Sequence, residues 1–439
     1  MAGSLSFSIE FWRADRHSPI DAGALLLGLP KSYPALSGYR RVASFQAIGL
    51  SDWLILFPLF IVIATQLEIS DDPRSGGVAF FIRSLAALAF LGGMVFRFGI
   101  SAFHANVAII SAFLLYFFII NISDFSRFSL MAIAFMSWGL AFGVVTRAAW
   151  RERLEFLLRA YLIFNVVGLV LGLAIYLLSG NIVDLHGIIF PFSASRAGIM
   201  MNQVRLSGFQ LEPGNYSNIV YLLVFLRCLF RRRIVNFLDL FAMLSTVATL
   251  AAWAVVGAAV YIVCFAIEFM ILNPKVPKIL RFATVLFSVS LLSISAPLIA
   301  PQIFGSQYVE YFNDRFSAER EKGSGYYKDQ AFRAWQDSAG EEMLLGSPLP
   351  RTYCDYCLSP QDLGLVFNMF FYLGIIPSLL IFSVSFIKLF RLWGPSFALL
   401  FCPFLVTKFF FYDPMVWLTF GIIVFENRRH QYVGRIQYG

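Results

Sequence analysis

The chain has 439 residues, of which 59% are hydrophobic and 14% charged, with a net charge of +8 and 49 Phe. Soluble domains carry about 25% charged residues, so a water-soluble core of this length could not hide so much apolar surface. The positive balance raises nucleic-acid binding, but Lys and Arg fall between apolar runs, as membrane-anchoring charges do, and no basic arm or nucleic-acid motif is present.

Residues 1–47 form a mixed, polar segment in which "GALLLGL" is too short to span a bilayer. No cleavable signal peptide is read there, so the first apolar run is expected to serve as an uncleaved anchor. Repeated apolar runs of about 18 to 22 residues match the length of a membrane-crossing helix, and twelve spans are predicted in all. They lie near 48–67, 77–96, 104–121, 128–146, 156–178, 215–230, 235–250, 252–272, 279–299, 363–386, 395–410 and 414–426. One long tilted helix plus a re-entrant piece is the alternative reading of the pair at 235–272, because almost no loop divides it. With both termini cytoplasmic, 22 Lys and Arg fall inside and ten outside, and Arg83 and Lys408 lie within spans.

The expectation is an all-α polytopic membrane protein with about twelve transmembrane helices. Helices 1–5 occupy 48–178, helices 6–9 occupy 215–299, helices 10–12 occupy 363–426, and 427–439 is a cytoplasmic tail. Two large periplasmic loops with short helices, 179–214 and 300–362, hold most of the polar chain outside the membrane. The second contains ten acidic and six basic residues.

Of four histidines, His17, His104 and His430 fall on the cytoplasmic side and His186 alone outside. No HExxH, metal-spaced cluster, Walker loop or GxSxG elbow occurs, so neither a metal nor a cofactor is expected. Asp71-Asp72 reads as a solvated loop. Cys228, Cys264 and Cys402 read as small apolar residues. Cys354 and Cys357, in "TYCDYC", would suit a local disulfide in an oxidising compartment better than a redox pair.

Asp52, Asp239 and Glu268 lie near cytoplasmic span ends, where they are expected to reach water. Arg83 and Lys408 lie toward the outer leaflet, where a cation is costly and is a functional candidate by default. Snorkelling, or a Lys408–Asp413 ion pair, is the plainer reading. With Arg196 and Arg205 in the first loop and Lys328 and Arg333 in the second, they would offer several cations at headgroup depth. Arginine binds phosphate oxygens in a planar, often bidentate manner, so an anionic lipid head, best a lipid-linked pyrophosphate, is the natural ligand. Pairing with the loop acids is the alternative.

"RLSGFQLEPGNYS" (Arg205 to Ser217) resembles the Arg-x-x-Gly…Glu-Pro element of bacterial O-antigen and exopolysaccharide polymerases of the Wzy type. "FRAWQDSAGEEMLLGSPLP" and "SPQDLGLVFNMFFYLGIIPSLL" resemble their second-loop signature, an Arg, a short helix, a Gly-rich turn and a span with a mid-helix Gly. The wider superfamily includes O-antigen ligases and O-oligosaccharyltransferases. The resemblance implies a multi-pass protein of the bacterial inner membrane. It would transfer a growing glycan from undecaprenyl pyrophosphate to another lipid-linked repeat unit at the periplasmic face, with a chain-length co-polymerase as partner.

On that resemblance Arg205 and Arg333 are the essential loop arginines, and Arg83, Arg196, Lys328 and Lys408 add to the pyrophosphate site. Relatives such as the ligases place a His just before the span that follows the second loop. "CLSPQDLG" has none. Asp362 or Asp355, or Glu212 or His186 in the first loop, would then act as base. Glu212 and Asp362 also read as charges at helix N-termini. A transporter or lipid-linked oligosaccharide flippase is the alternative of another class.

Overall fold

A computed structural model describes positions 53, 56–61, 82, 85–86, 88–90, 92–93, 104–122, 132–133, 136, 148–189, 198–200, 203–249, 251–272, 324–338, 340–347, 363–409, 411 and 413–425. Most of these residues are helical, as the lack of water to satisfy backbone groups in an apolar environment demands. In chain order the elements are α1 (His104–Asn121), α2 (Ala148–Ser179), α3 (Leu185–Ile189), β1 (Gly198–Met200), β2 (Gln203–Arg205) and α4 (Pro213–Arg231). There follow α5 (Phe237–Val247), α6 (Ala252–Leu272), α7 (Ser324–Ser338), α8 (Gly340–Leu345), α9 (Leu365–Leu373), α10 (Ile375–Leu392), α11 (Pro395–Val406) and α12 (Pro414–Phe425).

Three described stretches are long and apolar enough to cross a membrane, Leu154–Ser179, Trp253–Met270 and Ile375–Leu392. The chain is therefore a mostly helical membrane protein. Its helices α1, α4, α6 and α12 start and stop within about two residues of the apolar runs, whereas α2 begins eight residues before its run. The sequence also carries a feature that an all-α reading omits: β1 and β2 pair antiparallel, with Gly198 opposite Arg205 and Met200 opposite Gln203.

α4 is the axis of the bundle. Apart from Gly214, Asn215 and Arg231 its residues are buried. It packs along α2 on one side and against α5, α6 and α11 on others. Its 19 residues give a length of about 28 Å, close to the thickness of a hydrocarbon layer. α11 runs antiparallel to it. Trp393 Nε1, just before α11, donates to Leu229 O (3.1 Å), Tyr221 Oη donates to Leu400 O (2.5 Å), and Asn218 Nδ2 donates to Lys408 O (3.5 Å).

The C-terminal end of α4 carries an ionic knot. Arg227 meets Glu155 of α2 at 2.9 Å and Asp239 of α5 at 3.3 Å, and Arg231 also pairs with Asp239. Asp239 has no exposed surface and Arg227 is 1% exposed. This corrects the expectation that Asp239 reaches water; two guanidinium groups take water's place. Next to it Arg232 adopts a left-handed backbone conformation (φ 54°) that ends α4. Glu268 of α6 then accepts from the N–H groups of Ile234 and Val235, the latter at 2.9 Å, and Tyr261 Oη donates to Ile234 O (2.8 Å).

The region 235–272 resolves into two helices rather than one long helix with a re-entrant piece. α5 has only 11 residues, about 16 Å; the chain turns at 248–249, and α6 starts at Ala252. The predicted span 363–386 is not continuous. In one helix Phe370 and Phe382 would lie about 18 Å apart along the axis, yet their ring centroids are 6.2 Å apart. The chain folds back at Gly374 (φ +85°), where a Cβ would lie 2.3 Å from Leu344 O and 2.6 Å from Gly346 N. Only glycine allows this backbone-to-backbone contact. Tyr116 Oη closes the break by donating to Leu345 O (2.5 Å) and Leu373 O (3.1 Å).

The predicted span 395–410 likewise stops early. α11 ends at Val406, so Lys408 lies in a non-helical connection rather than in a helix. Leu365 N donates to Thr407 O (2.8 Å) and Asn368 Nδ2 to Phe409 O (3.4 Å), seating the start of α9 on that connection.

Removing one partner of a buried ion pair strands the other charge. Asp239→Ala is expected to destabilise the protein by roughly 3–5 kcal/mol, read as a lower unfolding temperature in detergent. The paired change Arg227→Met with Asp239→Leu should recover part of that loss, since Arg231 keeps Glu155 as partner.

Candidate functional site

The segment Arg205–Ser217 folds onto α2 because glycine lets two backbones meet. Gly208 has φ +59°, and a Cβ on it would lie 2.8 Å from Leu169 N and 3.1 Å from Gly168 C. Gly168 in turn leaves room for the Phe209 ring, which a Cβ there would meet at 2.3 Å. Phe209 stacks on Phe164 at 4.4 Å between centroids. A turn closed by Gln210 N to Ser207 O (3.0 Å) then brings Gln210 Nε2 to Asn165 Oδ1 at 2.6 Å. Asn165 is itself held by its Nδ2 bond to Tyr161 O (2.9 Å).

His186 of α3 belongs to this assembly. Its Nδ1 lies 2.9 Å from Phe209 O, a carbonyl that can only accept, so Nδ1–H is the donor of this bond. The side chain is fully buried. Leu206, Ser207, Gly208, Gln210 and Leu211 are buried too, which is not how an ordinary surface loop behaves.

Glu212 is the N-cap residue of α4, followed by Pro213 at the first helical position. Its side chain makes no capping hydrogen bond; the turn is closed by its backbone carbonyl, which accepts from Tyr216 N (3.1 Å). The carboxylate nonetheless stands at the positive end of the α4 dipole. Beside it lies the negative end of α5. Tyr216 Oη and Ser245 Oγ are 2.7 Å apart, and Ser217 Oγ and Thr249 Oγ1 are 2.7 Å apart. Arg205, half-buried at the end of β2, donates from Nε to Thr249 O (3.3 Å), where a cation suits the carbonyl end of a helix. Both ends of the segment, Arg205 and Ser217, therefore grip one residue, Thr249.

Lys408 joins the same end of the bundle through its backbone, whose carbonyl accepts from Asn218 on the second turn of α4. Its side chain is exposed. Arg333 has a different support. It projects from α7, 72% exposed, with its Nε 2.8 Å from Asp329 Oδ2 one turn earlier. α7 is docked on α9 by Trp335, stacked on Phe371 at 5.1 Å, and by Phe332 against Phe367 at 5.4 Å. Because Asn218 and Asn368 hold the adjacent carbonyls of Lys408 and Phe409, α4 and α9 share one connecting strand. The structure thus ties Arg205, Glu212, His186 and Lys408 to one end of α4, and links the α7 support of Arg333 to it through α9.

Lys328 lies on α7, but its side chain is outside the described residues, as are Arg83, Arg196, Cys354, Cys357, Asp355 and Asp362. Among the described residues no three His, Cys, Asp or Glu side chains gather as a metal-holding group. Asn165 escapes a sequence reading because it sits alone in an apolar run, and Thr249 and Asn218 because nothing local marks which member of a polar cluster is engaged. The polar break "STVATLAA" around Thr249 is the one local signal. Comparison of the chain with family models, with curated proteins and with solved structures finds no match.

Gly208→Ala should detach the segment from α2, since it forces a side chain into a left-handed conformation costing about 1–2 kcal/mol and into the Leu169 backbone. Amide hydrogen exchange across 206–211 is expected to rise about tenfold or more, with exchange in α10 unchanged.

Proposed function

We propose that this protein is a metal-independent glycosyltransferase that polymerises lipid-linked oligosaccharide repeat units at the outer face of a bacterial inner membrane, in O-antigen or exopolysaccharide synthesis. The observation that carries the reading is the inward fold of "RLSGFQLEPGNYS", which sets a half-buried arginine and a carboxylate beside the N-terminus of α4. A connecting loop has no need of glycine-tight docking on α2, whereas a site for an anionic lipid head needs a fixed cation and a fixed helix end.

In the proposed reaction the bond between the donor sugar and undecaprenyl pyrophosphate breaks as a hydroxyl of the acceptor repeat unit attacks. The new glycosidic bond forms, the hydroxyl proton passes to a carboxylate, and the pyrophosphate leaves with the electron pair. Arg205 and Arg333 stabilise the leaving charge, with Lys408, Lys328, Arg83 and Arg196 as further cations of the donor site. Glu212 or Asp362 takes the proton. A ligase or O-oligosaccharyltransferase would share this donor chemistry and differ in the acceptor.

A second reading, a transporter or lipid-linked oligosaccharide flippase, draws support from the broken helices. α9 folds back at Gly374, and α11 and α12 are 12 residues each, joined by a non-helical connection that holds Lys408. Transporters often build their sites at such discontinuities.

Deletion of the gene separates these readings by gel analysis of the surface polysaccharide. Loss of the long ladder with a single repeat unit retained is the expected result. Loss of every attached unit with lipid-linked polymer accumulating would identify a ligase, and an unchanged ladder with altered solute uptake a transporter. Arg205→Ala and Arg333→Ala should each reproduce the deletion at unchanged protein level.

A further inference from the structure

Thr249 lies in no motif, yet both ends of the Arg205–Ser217 segment close on it. Arg205 reaches its carbonyl through Nε, and Ser217 meets its hydroxyl at 2.7 Å. The same hydroxyl donates to Thr246 O at 2.6 Å, so it is the acceptor for Ser217 Oγ, and Thr249 is fully buried. Ser217 Oγ also lies 3.2 Å from Pro213 O in the first turn of α4. The chain of contacts runs without interruption from the N-terminus of α4 through two hydroxyls to the backbone that receives the guanidinium.

We propose that Thr249 is a positioning residue that sets the height and rotation of the Arg205 guanidinium against the N-terminus of α4, tuning the site for a pyrophosphate group. This rests on the reading of Arg205 as a phosphate ligand. The physical reason is geometric. A long arginine side chain has several rotamers, and bidentate recognition of a phosphate needs one orientation of its planar fork. Fixing Nε on a carbonyl removes rotation about the last bonds. That carbonyl is useful only if it is itself fixed, and it follows α5, where the helix gives way to a turn in which Thr249 N donates to Thr246 O (3.1 Å). The Ser217–Thr249 hydroxyl pair adds a second hold and ties the carbonyl to the helix whose N-terminus would share the anion.

Binding of inorganic pyrophosphate to the full-length protein in detergent micelles, followed by calorimetry, tests the inference. Thr249→Val keeps the shape and the carbonyl but loses the hydroxyl, and is expected to weaken binding about fivefold, the scale of one buried hydrogen bond. Thr249→Ser should restore wild-type affinity, which a change in packing alone would not do, since serine lacks the methyl group. Ser217→Ala should weaken binding to a similar extent, and combining it with Thr249→Val should add nothing further, because each already removes the contact that the two hydroxyls share. Arg205→Ala should abolish binding. If Thr249→Val and Ser217→Ala bind like wild type while Arg205→Ala does not, the positioning role is overturned and the phosphate reading stands. If Arg205→Ala binds like wild type, the phosphate reading itself fails, and the role of Thr249 with it.

Discussion

A helix that stops inside an apolar environment leaves carbonyl and amide groups that water cannot satisfy, and this bundle stops several helices short. α5 ends after 11 residues, α9 after nine and α11 after 12. In each case a side chain from a distant part of the sequence takes up an exposed backbone group. Arg205 serves Thr249, Tyr116 serves Leu373, and Asn218 and Asn368 serve Lys408 and Phe409. At the other end of α4, Glu268 receives the amides of Ile234 and Val235. These side chains are scattered in sequence; those of Arg205, Asn218, Asn368 and Glu268 gather at the two ends of one buried helix, and Tyr116 holds the break at Gly374.

The two ends of α4 solve the problem of buried charge differently. At the C-terminal end Arg227, Arg231, Asp239 and Glu155 balance one another, a closed set whose members come from three helices. Closed sets of this kind hold helices in register. At the N-terminal end each charge of the Arg205–Ser217 segment lies at a helix end. Arg205 lies on the carbonyl end of α5 and Glu212 at the amide end of α4, each placed by a helix dipole of suitable sign. A closed knot suits a structural role; helix ends of opposite sign are the arrangement that the proposed donor site would use.

Glycine decides where this architecture can break. Gly208 and Gly374 both adopt positive φ, and both lie within 3 Å of another backbone at the point a Cβ would occupy. Each brings a large polar segment onto the bundle. Gly208 docks the segment carrying Arg205, and Gly374 docks Gly346 at the end of the stretch carrying Arg333. Two loops that differ in length and composition are thus anchored by the same device, a glycine admitting a close backbone approach.

The sequence by itself determined the membrane class, the helical character and the positions of helices such as α1, α4, α6 and α12, because those depend on apolar composition and local periodicity. It also singled out Arg205, Glu212 and the glycine-rich segment, since polar and turn-forming residues stand out against an apolar background. Tertiary structure alone decided the rest. An apolar run does not reveal whether it forms one helix or folds back, which depends on whether Gly374 meets another backbone. Asp239 near a span end looks water-accessible until Arg227 and Arg231 are folded over it. Thr249 is one of three hydroxyl residues in a short stretch, with Ser245 and Thr246, and nothing local marks it. It matters only because Arg205 and Ser217, 12 residues apart in one segment, arrive at it from opposite ends.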